Sequence, residues 1–120
     1  MVLFHVEIPG RLPVKKNTAR KYKFGIVYSE AWRNWEKKAL IYLRDQPKIE
    51  TITEYCCLQL NLSFKNHQWE ADCSNLAEGP QDLLEKAKVI KNDKLFKKII
   101  VEKYFGFEPM TEIIVKSLAD

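Results

Sequence analysis

Asp72-Cys73-Ser74-Asn75-Leu76-Ala77-Glu78-Gly79-Pro80-Gln81-Asp82-Leu83-Leu84, followed by Asn92-Asp93, is the stretch on which the reading of this 120-residue chain turns. Residues 70 to 85 hold five acids (Glu70, Asp72, Glu78, Asp82, Glu85) and no Lys or Arg, in a chain of net charge +4. Like charges this close cost free energy unless a cation or a partner offsets them. With Ser74 as N-cap, Asn75, Glu78 and Asp82 fall at i, i+3 and i+7 on one helix face, and Asp72 lies just before the helix. Oxygen donors from a strand end, a helix face and a later turn suit a hard cation such as Mg²⁺. Such an ion activates water and stabilises the departing oxygen of a phosphodiester. The competing reading is an acidic N-terminal half of a helix, favoured by its dipole and exposed to water. Pro80 leaves two geometries open. Either the helix starts at Gly79-Pro80, or it starts at Ser74 and kinks, which is the form favoured here.

Working outward, Val2 to Ile8 alternates with Val2, Phe4, Val6 and Ile8 on one face, a first strand closed by Pro9-Gly10. His5 falls on the polar face, where a lone histidine is expected to be exposed or cross-strand. Residues 11 to 28 show no period and mix cations with Tyr22, Phe24 and Tyr28, so a basic loop is expected. Its Lys15, Lys16, Arg20, Lys21 and Lys23 are candidate nucleic-acid contacts, since cations neutralise phosphates and rings stack on bases, with Asn17, and Asn75 of the acidic stretch, as further polar candidates. Ser29 caps an amphipathic helix that carries Trp32, Trp35, Ala39, Tyr42 and Leu43 on its apolar stripe and ends near Pro47. Its tryptophans read as core. From Ile52 to Phe64 alternation returns, with Cys56, Leu58, Leu60, Leu62 and Phe64 facing one way. A helix over 82–88, a connector, and strands over 95–105 and 111–118 complete an α+β domain: one mixed sheet with two main helices packed on it.

The length predicts a single domain spanning 1–120. No apolar run approaches the roughly 20 residues that cross a bilayer, and residues 1–9 lack a basic n-region and a cleavage site, so no membrane association and a cytoplasmic location are expected. Cys56, Cys57 and Cys73 are odd in number and lack CxxC spacing, which predicts reduced, mostly buried thiols and not a zinc knuckle. No small-molecule cofactor is indicated. Six cationic side chains against Glu7 alone in residues 1–25, beside the acidic island, suit an enzyme that meets a polyanion through metal ions.

Taken together, these residues resemble the RusA-type Holliday junction resolvases (crossover junction endodeoxyribonucleases), in a phage- or prophage-type variant. Ile8-Pro9-Gly10-Arg11-Leu12-Pro13-Val14-Lys15-Lys16-Asn17 is similar to the family's strand and Pro-, Lys- and Asn-containing loop, and Tyr28-Ser29-Glu30-Ala31-Trp32 to the start of its first helix. Glu108-Pro109-Met110-Thr111-Glu112-Ile113 is similar to its tail. The family's Asp-x-Asp-Asn-Leu-x-Lys-x-x-x-Asp-x-Leu reads here as Asp72 to Leu84, and its later Asp-Asp pair as Asn92-Asp93. The resemblance implies a Mg²⁺-dependent homodimeric nuclease (Mn²⁺ being the alternative ion) acting on branched DNA. Asp72, Glu78 and Asp93 would be catalytic, and Asp72, Glu78, Asp82 and Asp93 would ligate metal. Ser74 stands where the family has its second Asp, and Glu78 where it has Lys. The site keeps its anionic count but loses a cation, for which Lys91, Lys94 or Lys16 are the candidate replacements. Those two departures keep open a relative that binds branched DNA without cutting it. A small adaptor whose acidic helix meets a basic partner is the reading outside nucleic acids.

Overall fold

Alternation builds the sheet, and helical spacing of Trp, Ala and Leu covers one of its faces. The computed structural model describes residues 1–22, 25–67 and 71–118, with the backbone alone for 16–22 and 25–28. In chain order the elements are β1 (Val2–Pro9), β2 (Lys16–Tyr22), β3 (Gly25–Tyr28), α1 (Glu30–Arg44), β4 (Cys56–Phe64), α2 (Cys73–Lys86), a 3₁₀ turn (Asp93–Leu95), β5 (Phe96–Phe105) and β6 (Met110–Ser117). β1, β6, β4 and β5 form one sheet in that order. β4 and β5 run parallel and the other pairs antiparallel, so the sheet is mixed and the fold α+β. A parallel pair needs a crossover, and α2 supplies it. The acidic stretch is therefore the connection that closes the sheet.

Val6, Ile8, Leu58, Leu60, Leu62, Ile113 and Val115 fill the covered face, joined by Trp32 and Ala39 of α1 and Leu76, Leu83 and Leu84 of α2. Ser29 caps α1 as expected, its Oγ accepting from the Trp32 N–H at 3.1 Å. The open face is polar. There Lys116 donates to Gln59, Gln59 donates to Asn61 at 3.1 Å, and Asn61 donates to Glu112 at 2.7 Å. His5 meets the other Glu112 oxygen at 2.8 Å, the cross-strand role expected of it.

The Asn61 donor, and after it His5, hold the Glu112 carboxyl below its ordinary value of 4.5. A lowered folded-state pKa adds stability that is present above 4.5 and lost as pH falls through the folded value. Asn61→Leu is therefore expected to raise the Glu112 midpoint in a carboxyl NMR titration and to flatten the acid limb of Tm against pH.

Three local expectations are corrected. The segment read as a basic loop folds as an antiparallel ribbon, β2 on β3, with Lys16 opposite Tyr28 and Tyr22 opposite Gly25. The ribbon is not part of the four-stranded sheet, so no buried sheet face imposes alternation on its sequence. The second helix is capped at Asp72, not Ser74, and starts at Cys73. It runs through Pro80 without starting anew there and ends at Lys86, short of Lys88. The fourth strand begins at Cys56, while Ile52 makes only an isolated parallel bridge to Ile90. Of the thiols, Cys56 and Cys57 are buried and Cys73 is exposed. Burial, then Glu54 and Cys57, push the Cys56 thiol up to about 11. Among the described residues no helix is long and apolar enough to cross a membrane.

Candidate metal centre

α2 presents its apolar residues to the sheet and its acids away from it. Leu76, Ala77, Leu83 and Leu84 are buried, while Glu78, Asp82 and Glu85 are half-buried, one turn apart along a single edge. Glu85 lies in the last turn of α2, where the negative end of the helix dipole opposes it by about 0.3–1 kcal/mol, and Asp82 lies one turn earlier, away from the favourable N-terminal end. The dipole argument for a merely solvated acidic helix fails for these two.

A built turn brings a third carboxylate to them. α2 ends with Lys88 in the left-handed region (φ 61). Val89 N–H donates to Leu84 at 2.9 Å and Lys88 N–H to Glu85 at 3.0 Å, the paired bonds of a Schellman cap. The chain then zips onto residue 52: Ile52 N–H donates to Val89 at 2.9 Å and Lys91 N–H to Ile52 at 3.0 Å. Asn92 Oδ1 accepts from the Lys94 N–H at 2.8 Å and caps the 3₁₀ turn that starts at Asp93. Asn92 is what orients its neighbour. Because Lys88 carries a Cβ in a left-handed conformation, Lys88→Gly is expected to stabilise the fold by about 1 kcal/mol in urea titration.

The result is a group of three: Asp82, Glu85 and Asp93 place one carboxylate oxygen each within 4.8 Å of one another. Oxygens sharing one octahedral Mg²⁺ stand about 2.9 to 4.1 Å apart, a separation close to that within this group. An all-carboxylate donor set is the chemistry a hard cation selects. Elsewhere among the described residues, His5, Glu7 and Glu112 also bring donor atoms within 4.8 Å. Both Glu112 oxygens are already engaged there by His5 and Asn61.

Of the four acids singled out as ligands, then, Asp82 and Asp93 come together. Glu78 stands one turn before Asp82 and outside the group. Asp72 is exposed at the N-cap, ten residues and roughly 15 Å of helix axis from Asp82. Glu85 was counted in the acidic island but not as a ligand; its spacing of i+3 from Asp82 is the signal that marks it. Ser74 and Asn75 are exposed on the first turn.

Lys15 is placed unlike a surface phosphate contact. Its side chain is 10% exposed and its ammonium pairs with Asp82 Oδ2. The backbone that carries it is clamped to the start of α1: Ser29 N–H donates to the Lys15 carbonyl at 3.2 Å and Ser29 Oγ to the Val14 carbonyl at 2.9 Å. Lys16, Asn17, Arg20 and Lys21 lie on β2, and Lys23 lies outside the described residues. Lys91 and Lys94 are exposed on either side of Asp93. At the other end of α2, Lys103 of β5 donates to the Ala71 carbonyl.

Residues 9–116 match the sequence family described as Endodeoxyribonuclease RusA. The chain is 35% identical over 88 residues to the crossover junction endodeoxyribonuclease RusA of Aquifex aeolicus (strain VF5), covering 72% of this chain and 69% of that protein.

Proposed function

Since the chain belongs to the RusA endodeoxyribonuclease family, we propose that it cuts branched DNA, four-way junctions above all, with a divalent ion held by Asp82, Glu85 and Asp93. The observation that carries this is the meeting of those three carboxylates on the acid-rich face of α2. Mg²⁺, or Mn²⁺ in its place, would supply charge neutralisation at the scissile phosphate and a bound water of lowered pKa. The protein's own residues do the rest. Asp82, Glu85 and Asp93 fix the ion's position, and the Asn92 cap keeps Asp93 turned toward α2. Glu78 extends the anionic face by one turn and Asp72 by nearly three. Exposed Lys91 and Lys94 on either side of Asp93 hold phosphates, the basic residues Lys16, Arg20, Lys21 and Lys23 add further cationic contacts, and Asn75 contacts DNA beside the helix start.

A homodimer is part of this reading, because paired sites related by a two-fold axis nick opposing strands of a symmetric junction. The test is a synthetic four-way junction incubated with the protein in Mg²⁺ or in EDTA, next to linear duplex of the same sequence. Paired nicks in the junction alone, dependent on metal, are the expected result, with light scattering giving twice the chain mass. Tight, salt-sensitive binding without nicks would favour the non-cutting relative that Ser74 and Glu78 raise. Absence of binding at low salt would sink both.

A further inference from the structure

We propose that the aromatic rim where β4 leaves the sheet stacks on a base left unstacked at a DNA branch point, with His67 and Phe107 as its contact rings. The inference deepens the proposed reading of this chain as a branched-DNA nuclease and rests on it.

A ladder of rings climbs out of the core there. Phe64 closes β4 at 3% exposure and lies opposite Phe105 of β5 in the parallel pair. Their ring centroids stand 5.6 Å apart, with planes 23° from parallel. Half-buried Phe105 stacks in turn with exposed His67, at 3.7 Å and 22°. That spacing is close to the ~3.4 Å between successive bases along one strand of duplex DNA. Phe107 is the second exposed ring, at 59%. Its turn closes without the ring. Gly106 supplies the left-handed φ of 89°, and the Gly106 and Phe107 N–H groups both donate to the Phe64 carbonyl, at 2.9 and 3.2 Å. A Cβ on Gly106 would meet nothing within 4 Å, so the space beside the turn is open.

The rim borders the start of α2. Lys103 lies two residues before Phe105 on the same face of β5 and donates to the Ala71 carbonyl. Exposed Asp72 and Asn75 follow directly. Lys65, next to Phe64, faces Glu108 at 3.8 Å, with side chains 66% and 86% exposed. So exposed a pair contributes little, which leaves the Lys65 ammonium able to turn to a phosphate. Exposed rings beside a cation are the parts of a site that stacks on single-stranded bases. In linear duplex each internal base is covered on both faces, so only a branch point or a gap offers a face to stack on. Every base has such a face. The rim therefore selects structure and not sequence.

Competition between a four-way junction and linear duplex for the full-length chain, in EDTA so that neither DNA is cut, tests this. Phe107→Ala and His67→Ala are each expected to weaken junction binding about tenfold. Duplex binding should stay within about twofold, and the salt dependence of both should be unchanged, because no phosphate contact is lost. Phe107→Trp, which keeps a ring, is expected to match the unsubstituted chain. Aminopurine, a fluorescent adenine analogue, placed at the branch point is expected to be brighter in complexes of the alanine variants, since stacking on a ring quenches it. Should Phe107→Ala fail to give the native circular dichroism spectrum, Phe107→Leu carries the same expectation. An unchanged junction-to-duplex ratio and aminopurine signal in the variants would overturn the stacking role alone, and so would an equal loss on both DNAs. Absence of junction binding by the unsubstituted chain would overturn the proposed function and the inference with it.

Discussion

Asp93→Asn is expected to slow single-turnover cleavage of a four-way junction by about 10²–10³-fold at saturating Mg²⁺, the scale of losing one group that stabilises a transition-state charge. Asparagine keeps the size of the side chain, and the cap from Asn92 to the Lys94 N–H involves neither Asp93 carboxylate oxygen. The fold should therefore be unaffected, and thermal unfolding of the variant should match that of the unsubstituted chain. Junction binding without metal should hold or tighten, because a negative charge has left the DNA-facing surface. Loss of cleavage with retained binding is the pattern that marks a ligand. Asp72→Asn is the informative companion. Asp72 stands roughly 15 Å of helix axis from Asp82, so an equal loss there would mean that it acts on the same step from the far end of α2. A cleavage rate unchanged in Asp93→Asn would move the ion away from the C-terminal half of the helix altogether.

Gly79→Ala is expected to destabilise the fold by about 1–3 kcal/mol although alanine is the better helix former. A Cβ at position 79 would lie 2.4 Å from Cζ3 and 2.6 Å from Cη2 of Trp32. Trp32 is 1% exposed and its ring stands 5.2 Å from that of Trp35, so it has no free direction in which to retreat. Helix propensity returns up to about 1 kcal/mol, less than the separation of two packed helices costs. In a chain of this size the net loss corresponds to a Tm lower by roughly 4–10 °C. Calorimetric scans of the two proteins check it, and a Tm equal to or above that of the unsubstituted chain would show that α1 and α2 do not pack through Gly79. Because the same contact holds α1 against α2, the variant should also loosen Lys15 from Asp82.

How much of this is legible in the amino-acid sequence alone? Alternation gave the covered faces of β1 and β4 except at Val2, which is 57% exposed where the register shifts between Val2 and Phe4; period two follows from strand geometry alone. Ser29 was recognisable as a cap because its partner, Trp32, is three residues away. The ribbon of β2 and β3 was not, because two short strands outside the main sheet have no buried sheet face to impose a period. Ser74 looked like a cap by residue type, yet the helix starts at Cys73 and Asp72 takes the cap position without a side-chain bond. The acidic face of α2 could be read from spacing, Glu85 included. Which of its acids share a centre could not.

The sequence by itself determined the order of β1, α1, β4, α2, β5 and β6, the α+β class, the acid-rich helix and the family, because each is written in local period, local capping or the matched stretch of 9–116. Only the tertiary structure decided that Asp82, Glu85 and Asp93 meet, that Asp72 stands apart from them, and that a lysine 67 residues away in sequence is buried against Asp82. The physical reason is that carboxylates attract a cation or a metal over a few ångströms, whatever their separation along the chain. That distance was set by the Schellman turn after α2 and by the packing of α1 on its neighbours, neither of which any period in the acidic stretch encodes.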